Sequence, residues 1–265
     1  MKLFTLILLS FSVLYSNVYY SKVEPYEIKN ISSNVIGVVD TVNENLLGQK
    51  LSSKAYIVID AKLDKSELKF TNEKIKYSKS TVVTNEEILK NLKISVEKKR
   101  ENYKKVQAMK IKSNVEKDRE FYDLVASENS FLVTHKELNT LKTQIADLQL
   151  RKAQLIRSIS DKTLKNKGYI LYSLDVKVGQ VVSKGTPLAT VVDTSKAILT
   201  IYLNAEDVAD AKNRIIYING KKTSYKVDRL LTIADSKNIS KYMAQIVVKA
   251  PSIFSKLVKI ELKEK

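Results

Sequence analysis

The sequence contains no cysteine, and it has one histidine, three prolines and six glycines among 265 residues. Without cysteine the chain has no disulfide, no site for a lipid on cysteine and no thiol chemistry. The histidine, His135, has no metal-ligand partner at helical spacing, so we interpret it as a solvated surface residue. No Ser/His/Asp set, phosphate-binding glycine loop or metal-ligand cluster is evident in the sequence. We therefore predict a protein that is not an enzyme and uses no cofactor and no metal.

Glycine and proline are both missing from the long stretch between Leu51 and Lys167. These two residues are the main breakers of helices, so their absence favours helix. Apolar residues recur there every seven positions, which is the pattern of a coiled coil. The first series is Leu68, Ile75, Val82, Leu89, Val96 and Tyr103, with Leu92 and Val106 beside it. The second is Leu124, Phe131, Leu138, Ile145 and Ile159, with Leu141, Leu148 and Leu155 beside it.

The two series predict two helical arms of nearly equal length, from about Asp64 to Lys110 and from about Asn114 to Leu164. Equal arms can fold back on each other as one antiparallel hairpin, which would project roughly 70 Å. A rod of that length between small domains is a spacer. Two unrelated surface helices, or a lysine-rich disordered tract, are the alternatives. Several seam positions are polar, which indicates that the hairpin also leans on neighbouring subunits; they are Thr71, Ser78, Asn85 and Lys99.

The formal net charge is +17, and only six of the 46 basic residues are arginine. Nucleic-acid binders often carry arginine interleaved with aromatic residues or a known motif. Here lysine is spread evenly and mixed with Glu and Asp along the arms, which is typical of a solvated helix surface. We therefore predict that nucleic acid is not a partner.

The amino terminus begins with Met1-Lys2 and an apolar run from Leu3 to Tyr15. This pattern is typical of a secretory signal, and the run is short for a membrane span. Residues 1–16 are predicted to be a signal peptide that is cleaved, or an anchor that is retained. Both outcomes place the remaining chain outside the cytoplasm. Residues 17–33 have no assignment.

Short strands and turns flank the helical stretch on both sides. Residues 34–61 contain Val35 to Val39 and Tyr56 to Asp60, and residues 168–194 contain Tyr169 to Tyr172 and Ala189 to Val192. Gly179 and Gly185 suit tight turns with positive φ, and Pro187 pre-sets an extended exit. One β-module is therefore predicted to be split by a hairpin that occupies residues 62–166.

The run from Val178 to Leu188, VGQVVSKGTPL, resembles the second half of the biotinyl/lipoyl-like domain of HlyD-like membrane fusion proteins. These are the periplasmic adaptor subunits of bacterial efflux and secretion systems. The order of half-lipoyl domain, hairpin, half-lipoyl domain and barrel is also the family pattern. The first half matches less closely, with Gly37-Val38-Val39 and a closing Tyr56 to Asp60. A lipoyl or biotin carrier displays a lysine at a hairpin tip, and here the helical insertion takes that place.

The hairpin tip is similar to a second family pattern. Members that dock on the outer-membrane duct often carry Arg, Leu four residues later and Ser seven further on, followed by Glu and Asp. Ser113 to Asp118 reproduces Ser-x-x-Glu-x-Asp, with Lys105 at the Arg position and Met109 at the Leu position, although Ser113 follows three residues early. The resemblance implies partner binding by Lys105, Met109 and Ser113, which the four-residue spacing would place on one helix face. Ser113 is equally the N-cap of a capping box with Glu116.

Alternating strands return in residues 196–265, at Ala197 to Leu203, Ile215 to Ile218, Tyr225 to Leu231, Ala244 to Val248 and Leu257 to Leu262. Asn219-Gly220 is a strong hairpin signal, and Asn204 to Ala211 is predicted to be a short helix capped by Asn204. These strands and the helix predict a small β-barrel in residues 196–265. The fold class is thus α+β, with a long coiled-coil hairpin inserted in a split lipoyl-like domain.

The resemblance implies an adaptor between an inner-membrane transporter, of the ABC or RND type, and an outer-membrane channel. It also implies self-association in a ring, commonly a hexamer, in the periplasm. A scaffolding coiled-coil protein of the envelope that takes no part in transport is the first alternative. A nucleic-acid-binding coil is the second, and it requires that residues 1–16 are not a signal.

Overall fold

The computed structural model describes residues 17–235, 238 and 240–264, and the predicted signal peptide or anchor at 1–16 lies outside them. Strands and helices follow each other along the chain in this order: β1 (Val18–Ser32), β2 (Gly37–Val42), a 3-10 turn (Glu44–Leu46), β3 (Ile57–Ile59), α1 (Lys62–Ala108), α2 (Asn114–Asp161), β4 (Thr163–Leu164), β5 (Ile170–Leu174), β6 (Val181–Val182), β7 (Pro187–Leu203), α3 (Ala205–Val208), β8 (Ile215–Ile218), β9 (Lys221–Lys222), β10 (Arg229–Ala234), β11 (Tyr242–Lys249) and β12 (Leu257–Lys263).

The predicted helical hairpin is present, as α1 of 47 residues and α2 of 48 residues. Every apolar residue of the two seven-residue series is buried or half-buried, and the polar seam residue Thr71 is only 5% exposed. The arms end at Ala108 and Asp161 rather than at Lys110 and Leu164. Thr163 and Leu164 instead pair with β3, because the chain must return to the sheet it left before α1. No helix of the described residues is both long and apolar enough to cross a bilayer.

Ion pairs join the two arms along both flanks of the seam. Arg151 binds the Glu67 carboxylate with two hydrogen bonds of 2.7 and 2.8 Å. The Glu86–Lys142 pair closes at 3.0 Å on the other flank. Exposed pairs of this kind contribute about 0–1 kcal/mol each. The ion pairs therefore set the register of the arms more than the stability of the hairpin.

Residues on both sides of the hairpin form one small unit, which we call the split β-unit. Its sheet has the strand order β4-β3-β2-β6, all antiparallel. Its core includes residues from before and after the hairpin: Val35, Val39, Leu51, Tyr56, Ile57, Ile59, Leu164, Leu171, Val176, Val182, Leu188, Ala189 and Val191. The hairpin is thus an insertion whose two ends are held by a shared apolar core.

The remaining strands form a larger sheet with the order β10-β11-β7-β1-β12-β8-β9, and β5 pairs with β7 beside it. We call the part built from β7 to β12 with the start of β1 the C-terminal β-unit. Residues 17–33, which had no sequence assignment, are largely β1, a strand of 15 residues. The predicted boundary at 194–196 falls inside β7, which runs through both units. A register shift between Pro25 and Glu27 marks the junction.

Within the C-terminal β-unit two predicted elements differ from the structure. The strand predicted from Tyr225 begins only at Arg229. Asn204 precedes α3 but its side chain makes no capping bond, and its Oδ1 instead accepts a hydrogen bond from Lys241. The turn at Asn219-Gly220 is as predicted, with φ of 51° and 77° between paired β8 and β9.

Candidate functional site

The hairpin tip is the segment Met109–Ser113 between α1 and α2. Helix α1 ends at Ala108, and Met109 is extended with φ −78° and ψ 117°. Lys105 lies in the last turn of α1. The expectation that Lys105, Met109 and Ser113 share one helix face is therefore wrong, because only Lys105 is helical. All three residues nevertheless lie at the same end of the rod, with Lys105 in the last turn of α1 and Met109 and Ser113 at the two ends of the connecting turn.

Ser113 forms a complete capping box with Glu116. The Ser113 hydroxyl accepts a hydrogen bond from the Glu116 amide at 3.3 Å, and Glu116 Oε2 accepts one from the Ser113 amide at 3.0 Å. Lys112 Nζ lies 2.9 Å from Glu116 Oε1. These bonds satisfy amides that the first turn of α2 would otherwise leave unpaired. The capping alternative for Ser113 is thus realised, and its hydroxyl is already engaged.

The Glu116 carboxylate is the electrostatic centre of the turn. The hydrogen bond from Lys112, followed by those from the amide and hydroxyl of Ser113, lowers its pKa to about 2. Because the folded pKa lies below the unfolded one, the contribution of this carboxylate is present above about pH 4 and is lost only in stronger acid. The turn is thus fully formed at neutral pH.

Large apolar side chains are exposed at the tip and at the start of α2. Ile111 is 93% exposed, Val115 78% and Met109 44%. Lys105 and Lys110 are exposed beside them. The sequence analysis did not predict a role for Ile111 and Val115. Two β-branched residues among the lysines between the two helical arms could have indicated an exposed apolar surface there. An apolar cap with a cationic rim suits a partner surface better than it suits water.

Just below the turn, aromatic side chains hold the two arms together. The Tyr103 and Phe121 rings lie 5.7 Å apart across the seam, and Tyr122 packs edge-on against Phe121. Lys99 pairs with Asp123 at 3.0 Å. The tip is therefore presented on a firm base, which reduces the ordering entropy that binding would have to overcome.

Ser113→Ala is expected to lower the free energy of unfolding of the hairpin by about 1 kcal/mol, since the amide of Glu116 loses its cap. Thermal unfolding followed by helical circular dichroism measures the change. Ser130→Ala is the matched control, because Ser130 lies within α2 and its hydroxyl bonds only the Ala126 carbonyl. Equal stability of both variants would contradict a structural role for Ser113.

The predicted turn residues Gly179, Gly185 and Pro187 lie far from the tip, in the split β-unit. Gly179 and Gly185 have φ of 84° and 87°, which side-chain-bearing residues rarely adopt. The Gly179 amide donates to Val39 and the Gly185 amide to Ser33, at 2.9 and 2.8 Å. These glycines tie the segment after the hairpin to the segment before it. Pro187 opens β7.

A second cluster fixes the root of the hairpin. Lys162 Nζ lies 2.9 Å from Asp64 Oδ2, and the Ser158 hydroxyl donates to the same oxygen at 2.8 Å. Burial alone would raise the pKa of the Asp64 carboxyl, but the hydrogen bonds from Lys162 and Ser158 outweigh it and hold the pKa below its usual value. Gly37 allows the close approach here, since a Cβ on it would lie 2.7 Å from Ile59 Cγ2.

The single histidine and the acidic side chains were the possible metal ligands to examine. No three His, Cys, Asp or Glu side chains in the described residues form a group that could hold a metal ion. His135 is exposed on α2 and stacks on Phe131, with ring centroids 6.2 Å apart.

No protein-family model matches the sequence, and no curated protein is similar to it. Solved structures share its fold. MacA from Actinobacillus actinomycetemcomitans has a TM-score of 0.66 at 16% identity, over 95% of this chain and 79% of that one. The membrane fusion protein Spr0693 from Streptococcus pneumoniae R6 has a TM-score of 0.64 at 11% identity, over 94% and 100%. A MacA–MexA chimera with the Pseudomonas aeruginosa MexA α-hairpin domain has 0.59 at 14%, over 96% and 82%.

Proposed function

We propose that this chain, which has the fold of the membrane fusion proteins, is a periplasmic adaptor of an efflux or secretion system. It links an inner-membrane transporter to an outer-membrane channel and performs no catalysis itself. The observation that carries the proposal is the placement of an exposed apolar tip about 70 Å from the sheet units, along two helices of 47 and 48 residues. A rod with an exposed apolar tip at one end and folded β-units at the other is suited to connect two partner proteins.

Each part of the chain has a role in this proposal. The split β-unit is a lipoyl-like domain and the C-terminal β-unit is a small barrel, and together they meet a transporter of the ABC or RND type. The hairpin is the spacer, and several copies form a ring, a hexamer, around a conduit. The chain is exported, with residues 1–16 serving as a cleaved signal or as an anchor in the inner membrane.

The strands β1 and β7 support a role in transmitting movement. They have 15 and 17 residues and pair along most of their length, so they cross from one sheet unit into the other. Two units that share continuous strands move together more readily than units joined by a linker. A conformational change at the transporter would therefore reach the root of the hairpin.

The tip variants test the proposal against a scaffold that takes no part in transport. Lys105→Asp, Met109→Asp and Ile111→Asp alter exposed positions, where the effect on folding stays within about 0.5 kcal/mol. We expect each to reduce export or drug resistance while the melting temperature and self-association hardly change. Ile111→Asp should have the largest effect, since it places a charge at the centre of the apolar cap.

Lys136→Asp is the matched control, because Lys136 is exposed in the middle of α2 and far from the tip. It should leave transport at the wild-type level. If all three tip variants also transport normally, docking by the tip is excluded and the scaffold function is favoured. The transport assay uses the full chain in cells together with its partners.

A further inference from the structure

A row of large apolar side chains lies on the outside of α1 near the root. Leu63, Phe70 and Tyr77 are 79%, 59% and 69% exposed, and they follow each other at the seven-residue period. We call these three residues the α1 ridge. Each stands two positions after a seam position, so the ridge lies on the outer edge of α1, away from α2. Seven residues of helix rise about 10.5 Å.

The outer edge of α2 carries a complementary row. Ala146, Ala153 and Ser160 are exposed, small and spaced by the same seven residues. We call these three residues the α2 groove. Each stands one position after a seam position, which places the groove on the opposite flank of the hairpin from the ridge. Small residues let a second helix approach closely, and large residues at the same period fill the spaces between them.

The contacts across the seam show that ridge and groove lie at the same height. Asp64 is level with Ser158, and Ser95 with Ser127, through bonds of 2.8 and 3.5 Å. In this register Phe70 is one residue from the level of Ala153. Leu63 and Tyr77 are likewise one residue from the levels of Ser160 and Ala146. One residue of helix is only about 1.5 Å.

Equal height matters because copies related by rotation about an axis parallel to the rod keep their heights. The ridge of one copy then meets the groove of the next without any shift along the rod.

We propose that the α1 ridge of one copy packs into the α2 groove of a second copy of this chain. The contact is head-to-tail, so it continues from copy to copy and closes into a ring. It rests on the ring proposed above and names the surfaces that make it.

Cysteine pairs test the contact directly, because the natural chain has no cysteine. Full-length protein carrying both Phe70→Cys and Ala153→Cys is oxidised mildly in detergent. Within one hairpin these positions are separated by both helices, about 15 Å or more, which excludes an internal disulfide. The expected result is a ladder of linked copies that ends at one closed species and collapses on reduction. The pair Ile94→Cys and Ala153→Cys, with Ile94 off the ridge, should give no ladder.

Substitution of a ridge residue gives an independent measurement of the same contact. Phe70→Asp is expected to weaken assembly by about tenfold or more, whereas Ile94→Asp leaves it unchanged. Light scattering measures the mass of the assembly formed by the wild type and by each variant. A protein that assembles but gives no ladder, and whose assembly Phe70→Asp does not weaken, overturns the ridge-and-groove contact alone. A wild-type protein that stays monomeric overturns both the contact and the proposed ring.

Discussion

Asp207→Ala is expected to lower the free energy of unfolding by about 3–5 kcal/mol, the cost of removing one partner of a buried ion pair. Asp207 is 3% exposed, although it lies in the short helix α3 on the edge of the C-terminal β-unit. Arg214 Nη1 donates to its Oδ1 at 2.5 Å. Without the carboxylate, the Arg214 guanidinium would remain in a largely buried place with no counter-charge.

Two further donors make the loss larger. Asn17 Nδ2 donates to Asp207 Oδ2 at 2.7 Å, and the Tyr19 hydroxyl donates to the same oxygen. Burial, followed by the hydrogen bond to Asp207, raises the pKa of Tyr19 well above its usual value, so the phenol stays protonated. The cluster joins the start of β1 to α3, which lie about 190 residues apart in the sequence. Its removal should therefore loosen the first strand as well as the helix.

Asp210→Ala is the matched control, since Asp210 lies three residues further on and is exposed. Its effect should stay within about 0.5 kcal/mol. Chemical denaturation at pH 7 measures the free energy of unfolding of both variants. If Asp207→Ala is no less stable than Asp210→Ala, the cluster does not hold the unit together.

The pH dependence of the same variant has a definite sign. Burial would raise the pKa of Asp207, but the hydrogen bonds from Tyr19, Asn17 and Arg214 outweigh it and keep the pKa below its usual value. A depressed folded pKa gives stability that is present above the unfolded pKa of about 4 and is lost as pH falls through the folded pKa. The difference in the free energy of unfolding between the wild type and Asp207→Ala should thus become smaller below about pH 4.

Local periodicity was sufficient to predict the hairpin, because a seven-residue repeat specifies a helix and its buried face together. The seam residues from Leu68 to Tyr103 are buried or half-buried as predicted. The residue types Asn219-Gly220 were sufficient to predict the turn, because Asn and Gly adopt the positive φ that the turn requires. Such features depend on neighbours within a few positions.

Long-range pairing explains what the sequence did not reveal. Strand β1 alternates buried and exposed residues only weakly after Val23, and its partners lie more than 150 residues away in β7 and β12. Asp207 looks like one more acid in a polar run, since nothing local shows that Tyr19 and Arg214 surround it. At the tip, the sequence was sufficient to predict the capping box of Ser113 and Glu116. It was not sufficient to predict the end of α1 at Ala108, because no Gly or Pro stands there.

Removing one heptad from a single arm is the second change with a large expected effect. Deletion of residues 78–84 shortens α1 by about 10.5 Å and leaves α2 unchanged. The hairpin can then keep its root contact between Asp64 and Lys162, or its tip contact between Tyr103 and Phe121, but not both. About two turns of paired seam are left without a partner. We expect a loss of roughly 3 kcal/mol, which lowers the melting temperature by about 10 °C.

Removing residues 138–144 as well is the control, because these lie level with 78–84 on α2. The stripes return to register, both end contacts can form, and the rod is simply shorter. Among the ion pairs between the arms in the described residues, only the exposed Glu86–Lys142 pair is lost, which contributes little. The double deletion should therefore melt well above the single one while failing to bridge its partners. If both deletions melt together, the antiparallel pairing of the arms does not stabilise the rod, and the adaptor mechanism loses its spacer.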